Sequence, residues 1–282
     1  MNELIFLKLG GSLITDKHRE ETAREDVIRR AAREIRQALD QRPDLRLVLG
    51  HGSGSFGHLA AQRHGLVEGG PPNWRGYAET GAAAARLNRL VTDLLLAEGV
   101  PVVSLQPSAS ARCRDGELLH LAVEPVRALL AHDLVPLVYG DVALDQARGH
   151  TIISTEQIFA YLARELRPAR ILLAGEVGGV FTADPTRDPA ARLIPEITPA
   201  SLSRVERLLG GSAGFDVTGG MWAKVRAMVA LVEEMPGLEV RLISGEQPGL
   251  IARALLERNL AEGTTIRMQG TGDKRPGTGG KR

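Results

Sequence analysis

Short apolar runs recur along the chain at Leu4–Leu9, Leu45–Leu49, Val100–Leu105, Val135–Tyr139, Ala169–Ala174, Val240–Ile243 and Thr264–Met268. They are largely continuous rather than alternating, as in strands buried on both faces of a parallel sheet. Between them the apolar positions shift to helical spacing. One stripe holds Val27, Ile28, Ala31, Ile35 and Leu39, entered through a T-x-x-E capping-box pattern at Thr22 and Glu25. Further helices are expected over Ala78–Ala97, Pro125–Ala131, Gln157–Glu165, Ser201–Leu209, Trp222–Met235 and Leu250–Arg258. The alternation of strand and helix predicts an α/β fold of βαβ units: a three-layer α/β/α sandwich with a mainly parallel central sheet.

Other stretches break this rhythm. Asp115-Gly116 inside Arg112–His120 is a hairpin signal, and Val142–Asp145 can pair with Gly149–Ile153. Residues 59–76 carry charge, Gly69-Gly70-Pro71-Pro72 and Trp74, so an irregular segment or lid is expected there. The Pro-rich stretch 184–199 reads as surface loop anchored by Ile194 and Ile197. From Gln269 to Arg282 almost nothing is apolar, which predicts a disordered, solvated tail. Two α/β halves meet near residue 168, within a single domain over 1–268, and both can share one sheet.

Composition narrows the function. The 282 residues can bury a substantial core, and 4 % aromatic content beside abundant Ala, Leu, Val and Gly fits helices packed on a sheet. A formal net charge of +1 argues against a nucleic-acid binder. One cysteine, Cys113, excludes an internal disulfide and argues against a cysteine-built zinc site; no metal-ligating residues are assigned. Met1 leads within three residues into a strand, leaving no room for a leader, and no apolar run is long enough to span a membrane. A soluble, cytoplasmic protein is expected.

Glycine loops carry the candidate chemistry. The run Leu47–His58 ends in Gly50, Gly52, Gly54 and Gly57 with Ser53 and Ser55 among them. Glycines let a backbone close on a ligand with its N–H groups inward, and a following helix adds its positive end, so an anion such as phosphate suits the loop. His58 at its mouth can donate to a phosphoryl oxygen, or it is a helix-start histidine bonded to backbone. Lys8 interrupts the first apolar run, where an unpaired ammonium is costly. It either meets an anion or snorkels from a strand end; the adjoining Gly10-Gly11 turn and Lys17 favour an anion site. Thr218-Gly219-Gly220 places free N–H groups at a helix start, with Lys224 about one turn in, a position that an ordinary solvated lysine also fills. Asp141, at a strand end, either faces the ligand crevice or caps the next segment.

Four separated segments resemble one superfamily: K-L-G-G-S at Lys8–Ser12, H-G-S-G-S-F-G-H at 51–58, G-V-F-T-A-D-P at Gly179–Pro185 and D-V-T-G-G-M-x-x-K at Asp216–Lys224. Together they are similar to the amino acid kinases, in the right order and over the chain up to about Met268. The K-L-G-G-S-L-I-T-D-K start, the S-F-G-H ending and D-V-T-G-G-M look like the isopentenyl phosphate kinases, which transfer the ATP γ-phosphate to isopentenyl phosphate. The resemblance implies ATP and Mg²⁺, a small-molecule acceptor, a homodimer, an acceptor-binding half (1–168) and a nucleotide-binding half (169–268).

The resemblance also implies roles. Lys8 would meet the transferring phosphoryl group, with Gly10, Gly11 and Ser12 as an adjacent cradle and Lys17 near the β- and γ-phosphates. Gly52, Ser53, Gly54 and Ser55 would hold the acceptor phosphate with His58. Lys224, with Thr218, Gly219 and Gly220, would approach the nucleotide phosphates, and Gly175, Gly179 and Asp184 would flank adenine and ribose. Glu156 stands where relatives often carry aspartate, and its carboxylate can still orient Lys8 and Lys224. Gly178 lacks an acid found in relatives, and Ser53 replaces a frequent glycine. A fosfomycin-type kinase of the same fold and a non-catalytic nucleotide-binding regulator are the competing expectations; retention of Lys8, Lys17 and Lys224 together argues against the regulator.

Overall fold

The computed structural model describes residues 3–66, 71–185, 187–210 and 220–269. The chain begins with β1 (Leu4–Leu9), a single turn α1 (Gly11–Ile14), α2 (Glu25–Gln41), β2 (Arg46–His51), α3 (Gly54–Arg63) and α4 (Trp74–Ala97). Next come β3 (Val102–Ser104), the hairpin β4 (Arg112–Arg114) and β5 (Glu117–His120), α5 (Glu124–Ala131) and β6 (Val135–Tyr139). A second hairpin, β7 (Asp141–Asp145) and β8 (Gly149–Ile153), leads into α6 (Thr155–Leu166) and β9 (Arg170–Gly175). The described chain closes with β10 (Glu196–Ile197), α7 (Leu202–Gly210), α8 (Met221–Glu234), β11 (Glu239–Ser244), α9 (Leu250–Leu256) and β12 (Thr264–Ile266).

One eight-stranded sheet runs in the order β10-β12-β11-β9-β1-β2-β6-β3, parallel except where β12 meets β11. β1 lies between β2 and β9, so the first strand joins the two halves of the chain. Successive side chains of β1 point to opposite faces. Ile5, Leu7 and Leu9 pack with α2, α4 and α9, while Phe6 packs with α6 and α8 on the other side. Lys8, two residues after Phe6, shares the α6/α8 face. The two hairpins form a separate four-stranded sheet, β5-β4-β7-β8. Its turn is the expected one: Asp115 and Gly116 both have positive φ (50° and 85°), and the Asp145 carboxylate accepts from both of their N–H groups. Gln157 Nε2 donates to Gly116 O and ties this hairpin to the start of α6.

Three local expectations are corrected. Thr22 and Glu25 make no capping box: Thr22 Oγ1 donates to Glu20 O, Ala23 pairs with Thr15 in an isolated bridge, and Arg24 is the N-cap. Residues 59–63 continue α3, and the next helix starts at Trp74, capped by the Asn73 side chain accepting from Gly76 N. The irregular segment is therefore far shorter than 59–76, and residues 67–70 within it lie outside the described residues. Ile197 belongs to the edge strand β10 rather than to a loop. Asp141 is a cap: its carboxylate accepts from Ser108 N and Val142 N, and burial pushes its pKa up. Apart from Gln269, the expected disordered tail lies outside the described residues.

Candidate active site

A cleft of about 930 Å³ opens at the carboxyl ends of β1 and β2, where ligands gather in parallel α/β sheets. Lys8, Gly11, Ser12, Lys17, Gly52, Ser53, Gly54, Ser55, His58, Glu156, Gly220 and Lys224 all line it. Segments that are remote in sequence thus converge as the glycine motifs imply. Gly10, Gly175, Gly179 and Asp184 do not line it. Gly10 N donates to Ala174 O at 2.8 Å, and Gly245 N donates to Gly175 O at 2.7 Å, so this pair stitches loop to strand. Gly179 has φ +143°, and a Cβ there would sit 2.6 Å from Thr264 Oγ1. Asp184 accepts at its carbonyl from Arg187 N and Asp188 N, with its carboxylate near Arg187. Thr218 and Gly219 lie outside the described residues.

The floor of the cleft is two glycine turns pressed together. A Cβ on Gly11 would fall 2.6 Å from Gly54 N, and one on Gly52 would fall 2.8 Å from Gly11 N. Gly54 adopts φ +51°, the left-handed region, to start α3. Thr15 clips the turns together, its hydroxyl donating to Gly11 O and accepting from Ser55 N. The glycine pattern therefore reflects backbone-to-backbone packing as well as ligand access. The Ser55 hydroxyl is buried in the cleft wall without a hydrogen-bond partner among the described residues, an unmet polar group suited to a phosphate oxygen.

Charge is concentrated on one wall. Lys8, 8 % exposed, meets Glu156 Oε2 at 2.5 Å, and Lys224 Nζ lies 3.8 Å from Glu156 Oε1. Glu156 sits in the first turn of α6 behind a Ser154–Gln157 capping box, where the helix end favours a carboxylate. Burial alone would raise the Glu156 pKa, but the two ammonium charges prevail and hold it at about 2. Burial and the neighbouring Lys224 push Lys8 down, while Glu156 opposes both. On the outer side Lys17 Nζ meets Glu176 Oε2 at 2.5 Å, bridging the β1 loop to the loop after β9. His58 is exposed on α3, at the rim, with no hydrogen bond to backbone among the described residues that would make it a cap.

Beneath the Gly52–Ser55 loop lies a group that motif reading missed. His51 is fully buried, stacked on Tyr139 at 5.5 Å between ring centroids. Its Nδ1 lies 3.0 Å from Gly52 O and its Nε2 lies 3.1 Å from Asn88 Nδ2. Asn88 Oδ1 accepts from Ser104 Oγ, leaving Asn88 Nδ2 to donate to Nε2. The imidazole proton is then on Nδ1 and is donated to Gly52 O. Burial, aided by the Lys8 charge, lowers the His51 pKa to about 4, so the ring is neutral.

An eight-stranded α/β sheet with paired glycine turns and converging lysines defines a phosphoryl-transfer fold of the amino acid kinase type, and the amino acid kinase family profile matches residues 3–244. The isopentenyl phosphate kinase of Methanothermobacter thermautotrophicus is 40 % identical, covering 93 % of this chain and 98 % of the relative. That of Haloferax volcanii is 38 % identical over 89 % of this chain and 98 % of its own. A solved structure described as isopentenyl phosphate kinase superposes with a TM-score of 0.79 at 36 % identity, over 93 % of this chain and 99 % of that one. The chain belongs to the amino acid kinase family, within its isopentenyl phosphate kinase branch. It is a kinase, and these relatives favour that branch over the fosfomycin-type alternative.

Proposed function

We propose that this protein transfers the γ-phosphoryl group of ATP to isopentenyl phosphate, forming isopentenyl diphosphate for isoprenoid synthesis. The observation that carries the reading is the convergence of Lys8, Lys17 and Lys224 on one cleft that the Gly52–Ser55 loop and His58 also line. Phosphoryl transfer asks chiefly for positioning and for compensation of charge on in-line oxygens. Lys8 and Lys224, both paired with Glu156, would meet the transferring group. Lys17 would exchange Glu176 for the β- and γ-phosphates. The Gly52–Ser55 turn, the Ser55 hydroxyl and His58 would hold the acceptor phosphate. A phosphate oxygen is already ionised at neutral pH, so no general base is needed beside it.

Residues 1–168 would serve the acceptor and 169–268 the nucleotide, with Gly175, Gly179 and Asp184 framing the adenosine from behind and Thr218, Gly219 and Gly220 meeting its phosphates. The described residues contain no group of three or more His, Cys, Asp or Glu side chains able to cage an ion. Mg²⁺ would enter with the nucleotide and would supply charge neutralisation beside Lys8 and Lys224. The resemblance further supports a homodimer in the cytoplasm; among the described residues no helix is long and apolar enough to cross a membrane.

The test is ADP release from ATP and Mg²⁺ with isopentenyl phosphate, dimethylallyl phosphate, fosfomycin or UMP as acceptor. Turnover with the prenyl phosphates and not with the other two is expected. Absence of turnover with either prenyl phosphate overturns the reading.

A further inference from the structure

We infer that His51 is a positioning residue that sets the orientation of the Gly52–Ser53 peptide through a single imidazole tautomer that Asn88 favours. The inference rests on the acceptor-loop reading above. In a trans peptide the C=O and the following N–H point in opposite directions. His51 Nδ1–H holds Gly52 O at 3.0 Å on the buried side of the loop. The Ser53 N–H of the same peptide is thereby turned away from the ring, to the side on which Ser53 lines the cleft. Among the described residues that N–H has no hydrogen-bond partner, so it is free for an anion.

The tautomer is the point of control. With the proton on Nε2, Nδ1 would present a lone pair to Gly52 O, and the two acceptors would repel. Two contacts prevent this. Gly52 O can only accept, so Nδ1 carries the proton, and Asn88 Nδ2, with its Oδ1 turned to Ser104 Oγ, donates to His51 Nε2 and favours the same form. Tyr139 stacked on the ring and Thr155 Oγ1 donating to His51 O at 2.6 Å hold the residue in place. Because glycine at 52 has no side chain to resist rotation, the peptide needs this external restraint. The chain therefore uses a neutral, buried imidazole to aim a backbone donor.

Two substitutions separate this role from simple core filling. In His51→Asn the side-chain amide can donate from the place of Nδ1, whereas in His51→Gln it reaches the place of Nε2. His51→Asn should stay within about threefold of the wild-type KM for isopentenyl phosphate, while His51→Gln should raise it about tenfold or more, with kcat and the KM for ATP little changed in both, as expected for one lost hydrogen bond to a charged group. Equal acceptor KM values in the two folded variants, or a larger rise for His51→Asn, overturn the inference. A readout free of activity is the ¹⁵N spectrum of the His51 ring. The Nδ1–H form is expected in the wild type, and the Nε2–H form in Asn88→Asp, whose carboxylate needs a donor from Nε2. An Nε2–H wild-type ring overturns the inference even where the position-51 variants fail to fold. Failure of the wild type to use any prenyl phosphate would overturn the functional reading instead, leaving the tautomer result to decide the clamp.

Discussion

Glu156 holds two lysines at once, Lys8 at 2.5 Å on one carboxylate oxygen and Lys224 at 3.8 Å on the other. One lysine comes from the central strand β1 and the other from the first turn of α8, so a single carboxylate sets their spacing within one wall of the cleft. Without it two like charges would face each other in a partly dry wall.

Glu156→Gln should therefore cost roughly 3–5 kcal/mol of stability at neutral pH, the penalty of an unpaired buried charge. The folded-state pKa of about 2 lies below the ordinary 4.5. The contribution of this carboxylate is thus present above pH 4.5 and is lost as pH falls through about 2. Denaturant unfolding of wild type and variant should show a gap that narrows over that window. Activity should fall as well, and its alkaline limit should move to lower pH, because loss of Glu156 depresses Lys8 further. A gap independent of pH would contradict the assignment.

His58→Ala should leave stability almost unchanged, because the side chain is exposed on α3. Its loss should reduce kcat/KM for the acceptor by roughly 10- to 150-fold, corresponding to a charge-assisted contact of about 1.5–3 kcal/mol. Steady-state kinetics with ATP saturating provide the check. Unchanged acceptor kinetics would leave His58 without a part in the reaction.

The Lys17–Glu176 pair is mostly exposed on the lysine side, so its loss should matter little to folding. Glu176→Gln should change stability by about 1 kcal/mol or less. It should also leave the KM for ATP no higher than in the wild type, since Lys17 then has no competing partner. Lys17→Met should raise that KM instead. A KM for ATP at or below the wild-type value in Glu176→Gln and above it in Lys17→Met is the expected result of steady-state kinetics.

Thr15→Val keeps the shape of the side chain but removes the clip between Gly11 O and Ser55 N. Stability should fall by about 1–3 kcal/mol, because Ser55 N loses its partner, while Gly11 O keeps the Thr15 N–H. Acceptor use should weaken with it, as the Ser55 end of the loop loosens. Thermal melts and acceptor KM, measured together, check both effects.

Sequence reading recovered most strands because continuous apolar runs have few other uses in a chain of this composition. It singled out Lys8 because a charge inside such a run is anomalous, and its buried partner explains the anomaly. His51, Asn88 and Thr15 escaped notice for the opposite reason. Each is an ordinary residue whose partner lies far away in sequence: Thr15 meets Ser55, and Asn88 meets His51. Only the contact of α1 with α3, and of α4 with the end of β2, makes these meetings visible. Thr22 and Glu25 show the reverse error: the capping-box spacing was present, but the bridge between Ala23 and Thr15 drew the backbone away from it. The position of Glu156 was legible and its double pairing was anticipated, whereas Gly10, Gly175 and Gly179 do not line the cleft.

The contact of Gly11 with Gly54, and of Gly52 with Gly11, has a consequence for how such a protein can change. Neither turn can acquire a side chain unless the other retreats, so the two segments behave as one inherited part and a graft of either alone would not seat. Freedom to take a new acceptor is left to the rim, where α3 exposes His58 and Leu59 and Gln62 border the opening. Variation in substrate within this architecture would accumulate there, around a floor that sequence drift cannot easily reach.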